Sequence, residues 1–324
     1  MFLEIKGIGK NYRGLRVLDN VSFTIEEEGE LVSIIGPSGA GKTTLLKILA
    51  GLEEADEGFV ASSADLQSNP AILVFQDYVL FPTMTVFHNV AFGLKCRRIK
   101  SAETADRVLA MLEYFQLADK AYHYPGQLSA GQQQRVALAR AMVVNPSILL
   151  LDEPFANLDR NLKAATAEFI RGFQQEYRIT IISVTHDLHE AFMMSDKIGI
   201  MLDGGLCQFD EVETVYNQPV SSRVAAFLGH VNTIPARCFG LLGLDLSGTE
   251  KSESIWVRAE AISLNKEAKG CGTITSVMFA GQYIIYQVDL AGIKLVVYSF
   301  DSGLSPGDRV ALQIKQSISI RRNQ

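Results

Sequence analysis

The stretch Gly36-Pro37-Ser38-Gly39-Ala40-Gly41-Lys42-Thr43 fits G-x-x-x-x-G-K-[ST] and directly follows the β-type run LVSII at 31–35. It constrains this chain more than any other feature. A glycine-rich turn between a buried strand and a helix points successive backbone N–H groups inward, and the helix N-terminus adds partial positive charge. Such a turn cradles the phosphates of a nucleoside triphosphate. Lys42 would reach the β- and γ-phosphates, and Thr43 would offer its hydroxyl to Mg2+. From Thr44 to residue 50 the residues are good helix formers, and Gly51 is a stop.

At 324 residues the chain is long enough for two domains, each with its own core. The net charge of −6, with Lys and Arg spread along the chain, argues against nucleic acid as a partner. Cys96, Cys207, Cys238 and Cys271 form no C-x-x-C pair, which argues against zinc or a disulfide framework and fits a reducing cytosol. No apolar run approaches the ~20 residues of a membrane span. The chain is expected to be soluble on its own.

Residues 2–25 alternate in short β-like pieces, separated by Gly7, Gly9, Gly14 and Asp19-Asn20, as in a small antiparallel sheet. Tyr12 lies in a loop of that sheet, where its ring could stack on adenine or simply cover an edge. Residues 72–75 read as a buried strand that delivers Gln76 at its carboxyl end. Residues 77–145 turn helical: Ser101 can N-cap a helix whose apolar stripe is Ala105, Val108, Leu109, Leu112 and Phe115, and a second helix spans 132–144. The run 148–151 is a central parallel strand ending in Asp152-Glu153-Pro154. A helix at 160–176 and a strand at 180–184 follow, ending at Thr185-His186-Asp187. This alternation means a parallel sheet, whose ligands gather at strand carboxyl ends. The P-loop, Gln76, Asp152, Glu153 and His186 all fall there. Residues 197–209 carry a hairpin signal around Asp203-Gly204-Gly205. Beyond about Val231 the pattern is β-type, with runs at 274–279, 283–288 and 293–298 that suggest a small barrel.

In order and position, these motifs across residues 1 to about 230 resemble the ATP-binding subunits of ABC transporters. The decisive stretch is Leu128-Ser129-Ala130-Gly131-Gln132, followed by QQRVALAR at 133–140, which is similar to the family's signature motif. Ser129 and the Gly131 amide at a helix N-terminus make an anion site without its own lysine. The resemblance implies that ATP on one P-loop is closed over by Ser129, Gly131 and Gln132 of a second copy, so that a homodimer sandwiches two ATP. It further implies Mg2+ held by Thr43, Gln76 and Asp152, with Glu153 as general base toward water. His186 would touch the γ-phosphate and hold Glu153, while Asp159 would report across the dimer interface. Gln76 would link the γ-phosphate to a helical subdomain, about 77–145, that grips transmembrane permease subunits. Phe81 to Phe87 could form part of that docking surface or be ordinary packing.

Two departures stand out: Ala130 replaces the usual first glycine of the signature pair, and Ala156-Asn157-Leu158-Asp159 replaces Ser-Ala-Leu-Asp. Ala130 matters only if its position needs a backbone forbidden to a Cβ. The segment between Glu57 and Ile72 looks shortened. The C-terminal part resembles the transport-associated OB-type domain of importer subunits for sugars, polyamines, ferric iron, sulfate and molybdate, with Ala259 where an Arg-Pro-Glu turn is usual. The expected architecture is an α/β P-loop NTPase, an ABC cassette with antiparallel β and helical subdomains over 1–231, followed by an all-β OB-like domain over 232–324. Its expected place is the cytoplasmic face of the inner membrane, powering solute import beside a solute-binding protein. The rival classes are a soluble ABC ATPase acting on ribosomes or nucleic acid, and a regulatory nucleotide binder. Ribosomal relatives carry two cassettes and DNA-repair relatives a coiled-coil insertion, and this sequence shows neither. A degenerate binder would lose Lys42, Glu153 or His186.

Overall fold

The computed structural model describes residues 1–63, 69–156, 158–244 and 254–318. The shortened 57–72 stretch therefore lies partly outside the described residues, as does Asn157. The chain divides into two compact units, Met1–Val212 and Glu213–Gln324.

The first unit opens with β1 (Leu3–Tyr12) and β2 (Leu15–Ile25), then β3 (Leu31–Ile35), the P-loop, α1 (Lys42–Leu49) and β4 (Glu57–Ser62). The strands β2-β1-β4 form an antiparallel sheet. Gly7 and Gly9 do not separate strands, contrary to the sequence pattern. They lie inside β1, where the register slips, and Gly7 (φ 63°) and Asn20 (φ 50°) take up the irregularity by left-handed backbone. Next come β5 (Ala71–Val74), α2 (Val86–Cys96), α3 (Ser101–Tyr114), α4 (Ala130–Met142), β6 (Ile148–Asp152), α5 (Arg160–Tyr177), β7 (Thr180–Thr185), α6 (Leu188–Met194), β8 (Lys197–Leu202) and β9 (Gly205–Glu211). They build one sheet in the order β5-β6-β7-β3-β8-β9, parallel except for the edge strand β9. Every residue of β3, β6 and β7 is buried, which is why these strands read as unbroken apolar runs. Asp203 (φ 49°) and Gly204 (φ 83°) make the β8–β9 turn, and left-handed backbone at both positions matches the twist of a two-residue hairpin.

One core cluster packs the helical layer against the sheet, and a second fills the space beneath the antiparallel sheet. In α3 the buried stripe is Thr104, Val108 and Leu112, continued by Phe115, whereas Leu109 is 49% exposed. Ser101 is the first helical residue and not the cap; the cap position is Lys100, which supplies no side-chain cap bond. Phe115 packs edge-on against Phe169 at 5.3 Å and lies 5.7 Å from Phe173, so the aromatic face of α5 replaces the predicted Leu109 contact. Among the described residues, no helix is long and apolar enough to cross a membrane.

The second unit holds a short helix, α7 (Val212–Asn217), that begins at its border, then α8 (Ser222–Leu228) and a two-stranded ribbon of β10 (Val231–Pro235) and β11 (Ser254–Arg258). Strands β12 (Ile262–Lys266), β13 (Gly272–Phe279), β14 (Ile284–Leu290), β15 (Ile293–Ser299) and β16 (Arg309–Ile314) form an antiparallel sheet in the order β12-β16-β13-β14-β15. The boundary thus falls ahead of the 231/232 position that the change of pattern predicts. Arg258 supplies the physical reason. Its guanidinium, 4% exposed, donates to Ala225 O (2.9 Å) and Tyr216 O (3.0 Å) and lies 4.1 Å from the Tyr216 ring centroid, tying both short helices to β11. Arg258→Met should lower the stability of this unit by about 1–3 kcal/mol by leaving those buried carbonyls unpaired. Trp256, the only tryptophan, reports on this unit, and an unchanged denaturation midpoint in its fluorescence would refute the anchoring role.

Candidate functional site

β3 leads into the P-loop, and two of its glycines are required by contact. A Cβ at Gly36 would lie 2.1 Å from Met201 O, and one at Gly41, which takes φ 92°, would lie 2.7 Å from Val17 O. Pro37, Ser38, Gly39 and Ala40 form the turn between them, Gly39 at φ 82°. Lys42 opens α1, followed by Thr43 and Thr44, and its Nζ donates to Gly36 O at 2.8 Å and Pro37 O at 3.0 Å. The ammonium is therefore folded back over the loop. Burial pushes its pKa down, against the opposing pull of Glu153 and Asp152.

Asp152 ends β6, where it accepts a hydrogen bond from Thr43 Oγ1 at 3.0 Å. Burial pushes its carboxyl above the usual range and the Glu153 charge adds to this, while the Thr43 bond, Lys42 and Lys47 oppose it. Glu153 follows in left-handed backbone (φ 46°), and its N–H donates to Val184 O of β7 at 3.0 Å. His186, just past β7, places Nδ1 3.1 Å from Glu153 Oε1. Thus the P-loop, Asp152, Glu153 and His186 converge through three strand ends. Gln76 lies two residues past β5, a strand that ends at Val74 and not at residue 75, and is exposed. Tyr12 ends β1, 39% exposed, with Lys10 Nζ 5.6 Å from its ring centroid.

Ser129, Gly131, Gln132 and Asp159 form a second group at the starts of α4 and α5. Ser129 caps α4: its Oγ accepts from Gln132 N (3.3 Å), and Gln132 Oε1 accepts from Ser129 N (3.0 Å). The Ser129 hydroxyl hydrogen is not used in that box and remains a donor for an anion. Asp159 accepts from Leu162 N at 3.0 Å, and a Cβ at Gly131 would lie 3.0 Å from the Leu162 side chain. Ala130 is the first residue of a right-handed helix, so its Cβ costs nothing there.

Three supporting residues have no role in the sequence reading. Glu190 is 7% exposed and joins Lys163 Nζ (2.8 Å) to Thr185 Oγ1 (2.6 Å), bracing the residue before His186. Gln134 is 1% exposed and donates to Pro154 O at 2.9 Å, while Arg140 donates to Tyr78 O and Val79 O, both at 2.8 Å. Gln134 carries a sequence signal: it shares the apolar face of α4 with Ala137, Leu138 and Ala141, where a polar residue needs a partner.

Fold and site together define a P-loop ATPase of the ABC class. The ABC transporter profile matches residues 18–156 and the TOBE domain profile residues 255–317. The Fe(3+) ions import ATP-binding protein FbpC of Photorhabdus laumondii is 36% identical over 97% of this chain and 95% of its own length. The sulfate/thiosulfate import ATP-binding protein CysA of Bacillus cereus is 43% identical over 73% of this chain and 69% of its own. Among solved structures, a dimeric bacterial ABC transporter cassette is 33% identical with a TM-score of 0.58, over 65% of this chain and 98% of that one. The chain belongs to the ABC transporter family, as an ATP-binding and ATP-hydrolysing import subunit with a C-terminal TOBE domain.

Because burial raises the Asp152 pKa, the ionised carboxylate is a cost to the folded state. A raised folded pKa contributes stability at low pH that is lost as pH rises through it. Asp152→Asn should therefore raise the melting temperature of the nucleotide-free protein near neutral pH, by roughly 2–4 °C for about 1 kcal/mol, while ATP turnover collapses. A melting temperature that falls would show that the carboxylate is instead a net stabiliser.

Proposed function

We propose that two copies of this chain sandwich two ATP head to tail at the cytoplasmic face of the cell membrane and couple hydrolysis to permease subunits fed by a solute-binding protein. The observation that carries this reading is the division of labour within one chain. Lys42, Thr43, Asp152, Glu153 and His186 converge on the P-loop, whereas the Ser129 hydroxyl and the Gly131 amide open a separate anion site with no lysine of its own.

Lys42 and the loop amides hold the phosphates. Thr43 and Asp152 present hard oxygen donors 3.0 Å apart, and Gln76 adds an amide, a set suited to Mg2+ that keeps water and phosphate ligands. The ion would neutralise developing phosphate charge. Glu153 accepts a proton from water as its oxygen attacks the γ-phosphorus and the bond to the ADP oxygen breaks, and His186 keeps that carboxylate aimed. Tyr12 would stack on the adenine, and Asp159 would carry the state of one site to the other.

A groove of about 410 Å3 lies between β5 and helices α2 and α4, lined by Ile72, Phe75, Phe81, Phe92 and Ala141 among others. The Phe81 and Phe92 rings approach to 4.6 Å. Lined by residues on both sides of Gln76 in the chain, this apolar groove suits a permease segment, while Phe87 packs on the core instead.

Two experiments test the reading. Glu153→Gln should keep ATP binding and reduce turnover at least 100-fold, since the amide keeps the shape but accepts no proton; rapid multiple turnover would remove Glu153 from its role. The shared site is tested by mixing Lys42→Ala chains with Ser129→Arg chains, both also carrying Glu153→Gln. In the mixed dimer one site receives both lesions and the other joins an intact P-loop to an intact signature. Mixing should create Mg·ATP trapping that neither parent shows. Should the folded, tagged mixture trap no more nucleotide than its parents, a site within one chain is the better reading.

A further inference from the structure

We propose that Gln134 is a positioning residue for Glu153, linking the signature helix to the base-bearing turn of the same chain. The proposal rests on the assignment of Glu153 as general base. Gln134 lies on the inner face of α4, 1% exposed, and its Nε2 donates to Pro154 O at 2.9 Å. Its Oε1 is buried and has no hydrogen-bond partner among the described residues. Here a single bond is made, to the carbonyl of the residue after Glu153.

That carbonyl matters because the turn is strained. Glu153 adopts φ 46°, a region disfavoured for a residue with a Cβ, and such backbone persists only where its surroundings over-determine it. Glu153 N donates to Val184 O at 3.0 Å and holds the turn on the strand side, and Ala156 N closes it on Glu153 O at 3.2 Å. The Gln134 bond holds it from the helical layer. Phe155, next in the chain, is fully buried and keeps the turn seated. Gln134 lies on the same helix that Ser129 caps. Displacement of α4 on engaging a phosphate of the partner's nucleotide would therefore be felt at the chain's own base.

The test compares Gln134→Met, which keeps length and apolar fit but donates nothing, with Gln134→Glu, whose carboxyl donates an O–H to Pro154 O only when protonated. In steady-state ATPase assays of the full chain, Gln134→Met should lower kcat about tenfold or more with KM for ATP within twofold. Mg·ATP trapping in a Glu153→Gln background should survive. At pH 6 Gln134→Glu should exceed Gln134→Met in kcat, and its rate relative to the unmodified protein should not rise with pH. A packing role alone would depress both variants alike. Wild-type kcat in Gln134→Met overturns the proposal, as does Gln134→Glu no faster than Gln134→Met at pH 6; if Gln134→Met fails to fold, a Gln134→Glu rate that rises with pH relative to the unmodified protein overturns it instead. Turnover by Glu153→Gln alone would instead overturn the base assignment on which the proposal rests.

Discussion

The hydrogen bond from Thr43 to Asp152 depends on a register that the rest of the first unit exists to keep. Thr43 lies in α1, which the P-loop joins to β3, and Asp152 ends β6; these two strands are not neighbours, since β7 lies between them. Val184 of β7 pairs with Ile34 on one side and with Asp152 on the other, so the end of β6 stands level with the start of the P-loop. Adjacent strands lie about 4.8 Å apart, so the loop must cross roughly twice that distance. It does so because α1, which follows the loop, turns Thr43 back over the sheet to Asp152. A slip of one residue in β7 would invert its faces and carry both His186 and the Val184 carbonyl away from Glu153.

Burial of all three central strands makes that register costly to change, and it also makes the site electrostatically unsettled. Lys42 and Asp152 are both pushed toward their neutral forms by desolvation, although they attract each other. Polyphosphate and a divalent cation would supply the opposite charges that each lacks. Stability is given up here for a site complementary to its ligand rather than to itself.

The parts of the site that depend on backbone amides, glycines and strand ends were legible in the sequence, because each is a local pattern. The P-loop, Asp152-Glu153, His186 and the Ser129 cap are all of this kind. What was not legible depends on contacts between distant segments. Leu109 has the right spacing for the core of α3, yet Phe169 and Phe173, more than fifty residues later, select the Thr104–Val108–Leu112 face instead. Likewise the change from helical to β pattern near Val231 marks where strands begin, whereas the unit boundary is set by Arg258 reaching back to Tyr216 and Ala225. The Leu109 misjudgement has a plain source: a periodicity shows which residues can share a face, and not which face a partner covers.

Helix α4 shows what such distant contacts accomplish. Ser129 caps its start, Gln134 reaches the turn that carries Glu153, and Arg140 near its end donates to Tyr78 O and Val79 O. Tyr78 and Val79 both have left-handed backbone (φ 58° and 42°), and they follow Gln76 directly but for Asp77. Arg140 is half-buried, with burial pushing its pKa down, and its guanidinium lies 5.4 Å from the Phe81 ring centroid at the apolar groove. One short rigid element therefore holds two strained turns, one beside Glu153 and one beside Gln76, and carries the Ser129 cap at its tip. A helix resists bending far more than a loop does, so a shift at the tip is transmitted to both turns together. On the proposed reading, phosphate recognition, the aim of the base and the groove offered to a permease would vary together, which is the mechanical requirement for an ATPase that does work on a partner.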